Sequence, residues 1–334
     1  MSTLMIDNVR HSVLKFSLIL LFSLILSACE EAPKAKVVKT ETNEKPEKVV
    51  IPYEDYNDPV QWAEPRLQFS RDTDELGFSI YSSKLDSSDV RIAYSFQNID
   101  PKYGQSSAQY VIRSPNNQFL AVDLEGEYVI IDLHKQSYEI IDEGYGIPSF
   151  NWTKDSNSLI FYSSGDLKRF HLKSKKLEIL PEEILANQLY LLKDQKTFLS
   201  AVGRGVNWYD IKTGREVKKR IDLKPIMSKK VKEPSGIKGS DLSPDEIHLF
   251  FRNTTGIGVI NVKTRKLLFH YYYDEQPKDV SITKAIFIND EELIHLERGD
   301  LAVFNIFTQK QTIVPDSYYD GSLMTLINKI QIKH

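Results

Sequence analysis

The stretch SPNNQFLAVDLEGEYVIIDL, residues 114–133, decides the fold. It opens on a polar turn, runs into an apolar alternation, breaks at a glycine-containing turn and closes on a second apolar run. Four further stretches repeat that order: TKDSNSLIFYSSGDLKRFHL (153–172), LKDQKTFLSAVGRGVNWYDI (192–211), SPDEIHLFFRNTTGIGVINV (243–262) and INDEELIHLERGDLAVFNIF (288–307). A short polar turn and another alternation follow each copy, as in SYEII, KLEIL and KLLFH, and a strand-like run such as AQYVIR precedes it. Each unit is therefore four short strands joined by tight turns.

A four-stranded meander buries only part of its apolar surface and cannot stand alone. Stacking such blades around a closed ring buries the rest and leaves only short, protected edges. The next-to-last positions of the five stretches are Asp132, His171, Asp210, Asn261 and Asn305. They recur at the ~40–50-residue interval of propeller blades. A β-sandwich would share the short strands but not a spacing held from unit to unit. The fold class expected is all-β, a β-propeller of four-stranded antiparallel blades.

A looser sixth copy lies upstream in FSRDTDELGFSIYSSKLDSSDVRIAYSF (69–96). Apolar alternation remains at the two ends, in VVIPYEDYNDPVQW (49–62) and SLMTLINKIQIKH (322–334). Taken as one last blade assembled from both termini, these pieces give seven blades, the number the sequence favours. The alternative is six, with the C-terminal strand completing the blade around Ser70, whose fourth strand is not found in QNIDPKYGQSS (97–107).

With Ser114-Pro115 and Ser243-Pro244-Asp245, the repeats resemble the TolB-type or WD40-like propeller repeat, in which a Ser-Pro-Asp turn precedes a strand. The resemblance covers about residues 66–314. The turn pattern departs at Thr153, Leu192 and Ile288, and no Trp-Asp dipeptide marks the strand ends. A WD40-like mode of partner binding is therefore not carried over.

The chain has 334 residues, 41% hydrophobic and 27% charged, with a formal net charge of −3. That balance speaks against a nucleic-acid-binding domain, which would be strongly basic. The single cysteine, Cys29, rules out an intramolecular disulfide. Arg10 and Lys15 precede FSLILLFSLIL (16–26), too short to cross a ~30 Å hydrocarbon core as a helix but the length of a signal-peptide apolar region. Leu26-Ser27-Ala28-Cys29 then resembles the bacterial lipobox, which implies a removed leader at 1–28 and a diacylated Cys29. Residues 30–50, EEAPKAKVVKTETNEKPEKVV, offer almost nothing to bury, so 29–50 reads as a lipidated cysteine on a flexible tether. Residues 51–334 read as a single propeller domain. Glu30 after the cysteine favours the outer membrane over the inner by resemblance to enteric-type sorting, with the protein facing the periplasm.

Motifs for chemistry are sparse. GRGVNW (203–208) and GIGVIN (256–261) suggest a dinucleotide fingerprint, but both sit between two strands with no helix following. Glycine there is expected to supply positive φ in a hairpin. The histidines show no metal-binding spacing, and with no free cysteine pair neither a metal nor a cofactor is expected. His171 holds a slot occupied elsewhere by Asp or Asn, read as a turn position whose side chain bonds nearby backbone. No Gly-x-Ser-x-Gly elbow is present.

The wider spacing between Asp210 and Asn261 marks an insertion, REVKKRIDLKPIMSKKVKEPSGIKG (215–239), rich in Lys and Arg with only Glu216, Asp222 and Glu233 opposing. Lys218, Lys219, Arg220, Lys229, Lys230 and Lys232 are candidate partner-docking residues on an exposed connection between blades. The bland alternative is a solvated loop; the sharper one is docking to an acidic partner or anionic headgroups. Tyr271, Tyr272 and Tyr273 in HYYYDEQP (270–277) are either edge-strand filling or an interface anchor. Two functions of different class follow. One is a non-enzymatic, membrane-tethered scaffold for envelope proteins. The other is a periplasmic enzyme or carbohydrate-binding propeller whose central channel gathers ligands from several blades, lactonase-like, with Ca²⁺ as the metal such a channel could hold.

Overall fold

The structure, a computed structural model, describes residues 51–55, 61–62, 64–73, 77–96, 108–124, 126–144, 149–181, 188–227, 236–254, 256–273, 285–297, 300–318 and 324–327. The leader, Cys29 and the tether fall outside them, as do Lys229, Lys230, Lys232 and residues 97–107.

Among the described residues the strands form six four-stranded antiparallel sheets. Blade 1 holds β1 (Arg66–Thr73), β2 (Gly77–Lys84) and β3 (Arg91–Ser95), and blade 2 holds β4 (Ala108–Arg113), β5 (Phe119–Leu124), β6 (Glu127–Asp132) and β7 (Ser137–Glu143). Blade 3 runs through β8 (Asn151–Trp152), β9 (Ser158–Ser163), β10 (Asp166–His171) and β11 (Lys176–Ile179). Blade 4 runs through β12 (Gln188–Leu191), β13 (Thr197–Val202), β14 (Gly205–Asp210) and β15 (Glu216–Asp222), followed by the short helix α1 (Lys224–Met227). Blade 5 comprises β16 (Gly239–Leu242), β17 (His248–Arg252), β18 (Gly256–Asn261) and β19 (Lys266–Tyr272). Blade 6 comprises β20 (Ala285–Phe287), β21 (Glu292–Glu297), β22 (Asp300–Asn305) and β23 (Gln311–Tyr318). The last strand, β24 (Met324–Ile327), pairs with β1 in the register Arg66↔Ile327 to Phe69↔Met324.

The seventh blade is therefore a correction. Both chain ends do go to one blade, but it is the blade of β1–β3 and not an additional one. That blade lacks its innermost strand in local sequence, and β24 supplies it. The N-terminal segment lies on the opposite flank: Tyr53 bridges Ile92 in parallel, with Glu54 N–H donating to Ile92 O and Ile92 N–H to Pro52 O, both at 2.9 Å.

An apolar cluster sits between every neighbouring pair of blades, which closes the ring. Phe78, Ile80 and Tyr94 of blade 1 meet Val111, Leu120 and Val122 of blade 2. Tyr128 and Ile130 meet Phe150 and Phe161 across blades 2 and 3, and Ile160 meets Phe198 across blades 3 and 4. Trp208 meets Phe251 across blades 4 and 5, and Phe269 meets Phe304 across blades 5 and 6. Leu67 and Tyr81 meet Ile294 and Leu301 where blade 6 returns to blade 1. This explains the continuous apolar runs in strands such as β5 and β6, buried along nearly their whole length: a middle strand has a neighbouring blade on each face. Outer strands such as β15 are exposed almost throughout. The fold is a six-bladed β-propeller.

In each blade from 2 to 6, the turn between the first and second strands (the inner turn) and the turn between the third and fourth (the outer turn) lie on one face, because the strands alternate in direction. The inner turns form a chain of hydrogen bonds. Asn116 N–H donates to Ser156 Oγ (3.0 Å), Lys154 N–H to Gln195 Oε1 (2.8 Å), Lys193 N–H to Glu246 Oε1, and Asp245 N–H to Asp290 Oδ1 (2.7 Å). Asn117, Ser156, Gln195 and Glu246 take positive φ at equivalent positions, and the last three reach the preceding blade with their side chains. Blade 1 has no such turn, because its first two strands belong to opposite ends of the chain.

A buried polar network occupies that gap. Glu54 and Arg113 form an ion pair at 2.9 Å with side chains 0% and 2% exposed. Arg113 Nε also donates to Gln68 Oε1 (3.1 Å), its guanidinium lies 4.9 Å from the Trp62 ring centroid, and Ser82 Oγ donates to Glu54. Arg66 beside it bonds Asp89 through Nη1 (2.8 Å). The N-terminal segment thus bolts blade 1 to blade 2 where the turn-to-turn chain is interrupted.

Candidate interaction surfaces and the central channel

The first part of the basic segment forms a strand, Glu216–Asp222. Lys218, Lys219 and Arg220 lie on β15, the outer strand of blade 4, where the sequence suggests a connection between blades; they are exposed as expected. Lys218 Nζ stands 5.7 Å from the Trp208 ring centroid, and Arg265 of blade 5 donates to Lys219 O (2.9 Å). Arg220 folds over Gly205, where a Cβ would come within 2.2 Å of its Nε. None of the three forms an ion pair among the described residues. The pairing of β15 with β14 is bulged on both sides of Trp208. Lysine and a bulge on an edge strand also discourage edge-to-edge pairing with another sheet.

The tyrosine run fills the edge of blade 5. Tyr271 packs on Phe269 at 5.3 Å and donates its hydroxyl to Gln309, Tyr272 meets His270 edge-on at 4.7 Å, and Tyr273 donates to Asn253 O (3.1 Å). Tyr273 is the most exposed of the three.

The slot shared by Asp132, Asp210, Asn261 and Asn305 works as the sequence indicates. Each side chain accepts two backbone N–H groups of its own outer turn, as Asn305 Oδ1 does from Phe307 (3.1 Å) and Thr308 (2.9 Å). His171 departs from that expectation: its ring meets the side chains of Ser158 (3.1 Å) and Glu178 (3.3 Å) rather than the backbone of its turn. The glycine expectation holds at Gly203, whose φ is +55°. At Gly256 the reason is close approach: a Cβ would lie 2.1 Å from Tyr271 O.

The innermost strands line the channel, and polar side chains sew one to the next. Ser149 Oγ and Asn151 Oδ1 accept the Leu189 and Leu191 N–H groups (2.7 and 2.9 Å), and Asp241 accepts that of Phe287 (2.7 Å). Trp152 Nε1–H reaches Ile112 O (3.3 Å). Tyr190 shares a hydrogen bond with Ser240 (2.8 Å), whose hydroxyl donates to Gln188. Burial pushes the Tyr110 phenol up to about 12, with the Asp241 charge adding to it, and the same two causes raise Tyr190 further. No group of three or more His, Cys, Asp or Glu side chains with metal-binding geometry occurs among the described residues.

Sequence reasoning missed the Glu54–Arg113 bolt and the Tyr190–Ser240–Gln188 hydrogen bonds, whose members lie far apart in sequence and share no motif. It also passed over a signal in the repeat itself: Lys falls two or three residues after the slot residue in four of the five copies, as in DLHK, DIKT and NVKT.

No family model and no curated protein matches this chain. Among solved structures it is similar to the β-propeller domain of Cps50 (Swd1) from Myceliophteria thermophila, at 16% identity and a TM-score of 0.44. The match covers 59% of this chain and 65% of that one, so this chain spans less than two thirds of that domain.

Proposed function

We propose that the chain is a bacterial lipoprotein, a TolB-type propeller tethered through Cys29, that acts as a protein–protein interaction scaffold in the cell envelope. The outer membrane, facing the periplasm, is its proposed address, and the Leu26–Cys29 string behind its apolar run supports it. The observation that carries the scaffold reading is the outer strand of blade 4. Lys218, Lys219 and Arg220 stand exposed on it without a carboxylate partner among the described residues, in a chain whose net charge is −3. Solvated cations contribute little to a fold, but they steer and select an oppositely charged partner.

A non-enzymatic role is part of the proposal. The channel reading keeps one specific support, the polar side chains of the innermost strands, Tyr190 with Ser240 and Gln188, and Asp241 beside them in blade 5. The test is crosslinking and recovery from intact envelopes, with radiolabelled palmitate, of the wild type and of Cys29→Ser. The wild type should carry label and recover envelope proteins; the variant should stay an unlabelled precursor. Label on the variant would overturn the lipobox reading, and a wild type that recovers no protein would overturn the scaffold.

A further inference from the structure

The five outer turns of blades 2 to 6 read LHKQS (133–137), LKSKK (172–176), IKTGRE (211–216), VKTRK (262–266) and IFTQKQ (306–311). Every Lys and Arg in these strings is exposed, and the one carboxylate among them is Glu216. Lys135 pairs with Asp132 at 3.1 Å and Lys175 pairs with Glu139; the remaining cations form no ion pair among the described residues. The outer turn of blade 1 breaks the pattern. There Asp86 and Asp89 offset Lys84 and Arg91, and Asp89 is held by Arg66 and Arg91. One face therefore carries a cationic arc along its rim, densest over blades 3 to 5, and Arg265 ties that arc to Lys219 on β15.

The interior of the same face is different. Its inner turns place Lys154, Lys193 and Lys196 among Asp155, Asp194, Asp245 and Glu246, a mixed field rather than a positive one. A uniformly anionic plane such as a lipid surface would gain at the rim and meet those carboxylates at the centre. A linear anion following the rim meets mostly cations, with Glu216 the one carboxylate in the five turns. A nucleic acid would need stacking platforms along the arc, and Phe307 is the one aromatic side chain in the five turns.

The arc also has apolar footholds. A groove of about 490 Å³ between blades 2 and 3 is floored by Phe119, Ile130 and Leu172 and flanked by Lys135, Lys173 and Lys175. A second, of about 540 Å³ between blades 3 and 4, is edged by Ile179, Leu180 and Pro181, with Lys212 beside them and Glu178 held by Arg169 at 3.8 Å. Ile179 is 64% exposed, the highest value among the exposed large hydrophobic side chains.

We infer that the rim over blades 3 to 5 binds an extended acidic polypeptide segment, with an aliphatic side chain of that segment seated against Ile179 and Pro181. The inference rests on the scaffold reading and names its partner class. Its charge chemistry steers encounter and sets register, while the apolar contact slows release.

The test uses the full chain carrying Cys29→Ser, so that no acyl chain can report on lipid, and a fluorescent synthetic peptide rich in Glu and Asp with one central leucine. Binding should weaken steeply as salt is raised, because exposed charges are screened over ~8 Å in physiological salt. Neutralising Lys173, Lys176, Lys212 and Arg215 to Gln should weaken it roughly tenfold or more. Neutralising Lys154, Lys193 and Lys196 to Gln should leave it nearly unchanged. Ile179→Ser should reduce affinity for the leucine peptide to that for its glycine counterpart. Three outcomes would overturn the inference: equal weakening by both sets of substitutions, tighter binding to phosphatidylglycerol vesicles or to a single-stranded oligonucleotide than to the peptide, and no binding at all. Each concerns the purified chain, so it stands apart from an envelope recovery that fails for want of a partner or an anchor.

Discussion

Blades 1 and 4 stand opposite each other in the ring and use the same side chains in opposite ways. In blade 4, Lys218, Lys219 and Arg220 hold their charges in water on an outer strand. At the seam of blade 1 with blade 2, Arg113 and Glu54 hold theirs almost completely out of it. An exposed cation gives up little by keeping its hydration, so its contribution to the fold is small even when paired, ~0–1 kcal/mol. A buried pair is costly to form, but removing one member strands the other, and that costs ~3–5 kcal/mol. The difference separates charge that serves closure of the ring from charge that the fold does not need, which is the charge the proposed scaffold role draws on.

Removing the closing strand is the strongest way to break this contrast. A chain ending at residue 321 lacks β24 and leaves β1 with an unpaired edge toward the channel. Such an edge invites association with other sheets. The expected result is loss of the cooperative melt and aggregation during purification. A chain without β24 that melts at the wild-type temperature would show that the ring closes elsewhere.

Glu54→Gln probes the blade 1 side more gently. The amide retains the shape and one acceptor but leaves the Arg113 charge uncompensated at 2% exposure. At ~2–4 °C per kcal/mol for a domain this large, the melting temperature should fall by on the order of 10 °C. Glu54→Gln together with Arg113→Met removes both charges and should recover part of that loss. A melting temperature unmoved by Glu54→Gln would place the closing free energy in the apolar clusters alone.

The parts of this molecule legible in sequence are those its repeat writes locally. The apolar runs of β5 and β6 announce strands buried on both faces, and the slot at Asp132, Asp210, Asn261 and Asn305 announces turns capped by their own side chains. Blade number was not legible in that way. The inner strand of blade 1 arrives with Met324–Ile327, and nothing in those four residues states that their partner is Arg66–Phe69. Glu54 and Arg113 lie 59 positions apart and meet only because the N-terminal segment turns along β3. The basic residues of 215–239 were visible as a charge run, whereas their place on a strand follows from pairing with β14. The rim arc was present in the aligned turns but emerges as a surface only once the outer turns share a face.

The most direct test of the division between closing charge and docking charge lies in the variant with the smallest expected effect on the fold. Lys218, Lys219 and Arg220 are replaced together by Gln, and thermal melting is followed alongside wild type and Glu54→Gln. The account expects the triple variant to melt within about 2–4 °C of wild type, the shift that ~1 kcal/mol would produce, while Glu54→Gln falls well below both. A triple variant that melts as low as Glu54→Gln would contradict the account, because the outer-strand cations would then be holding the propeller together rather than facing a partner.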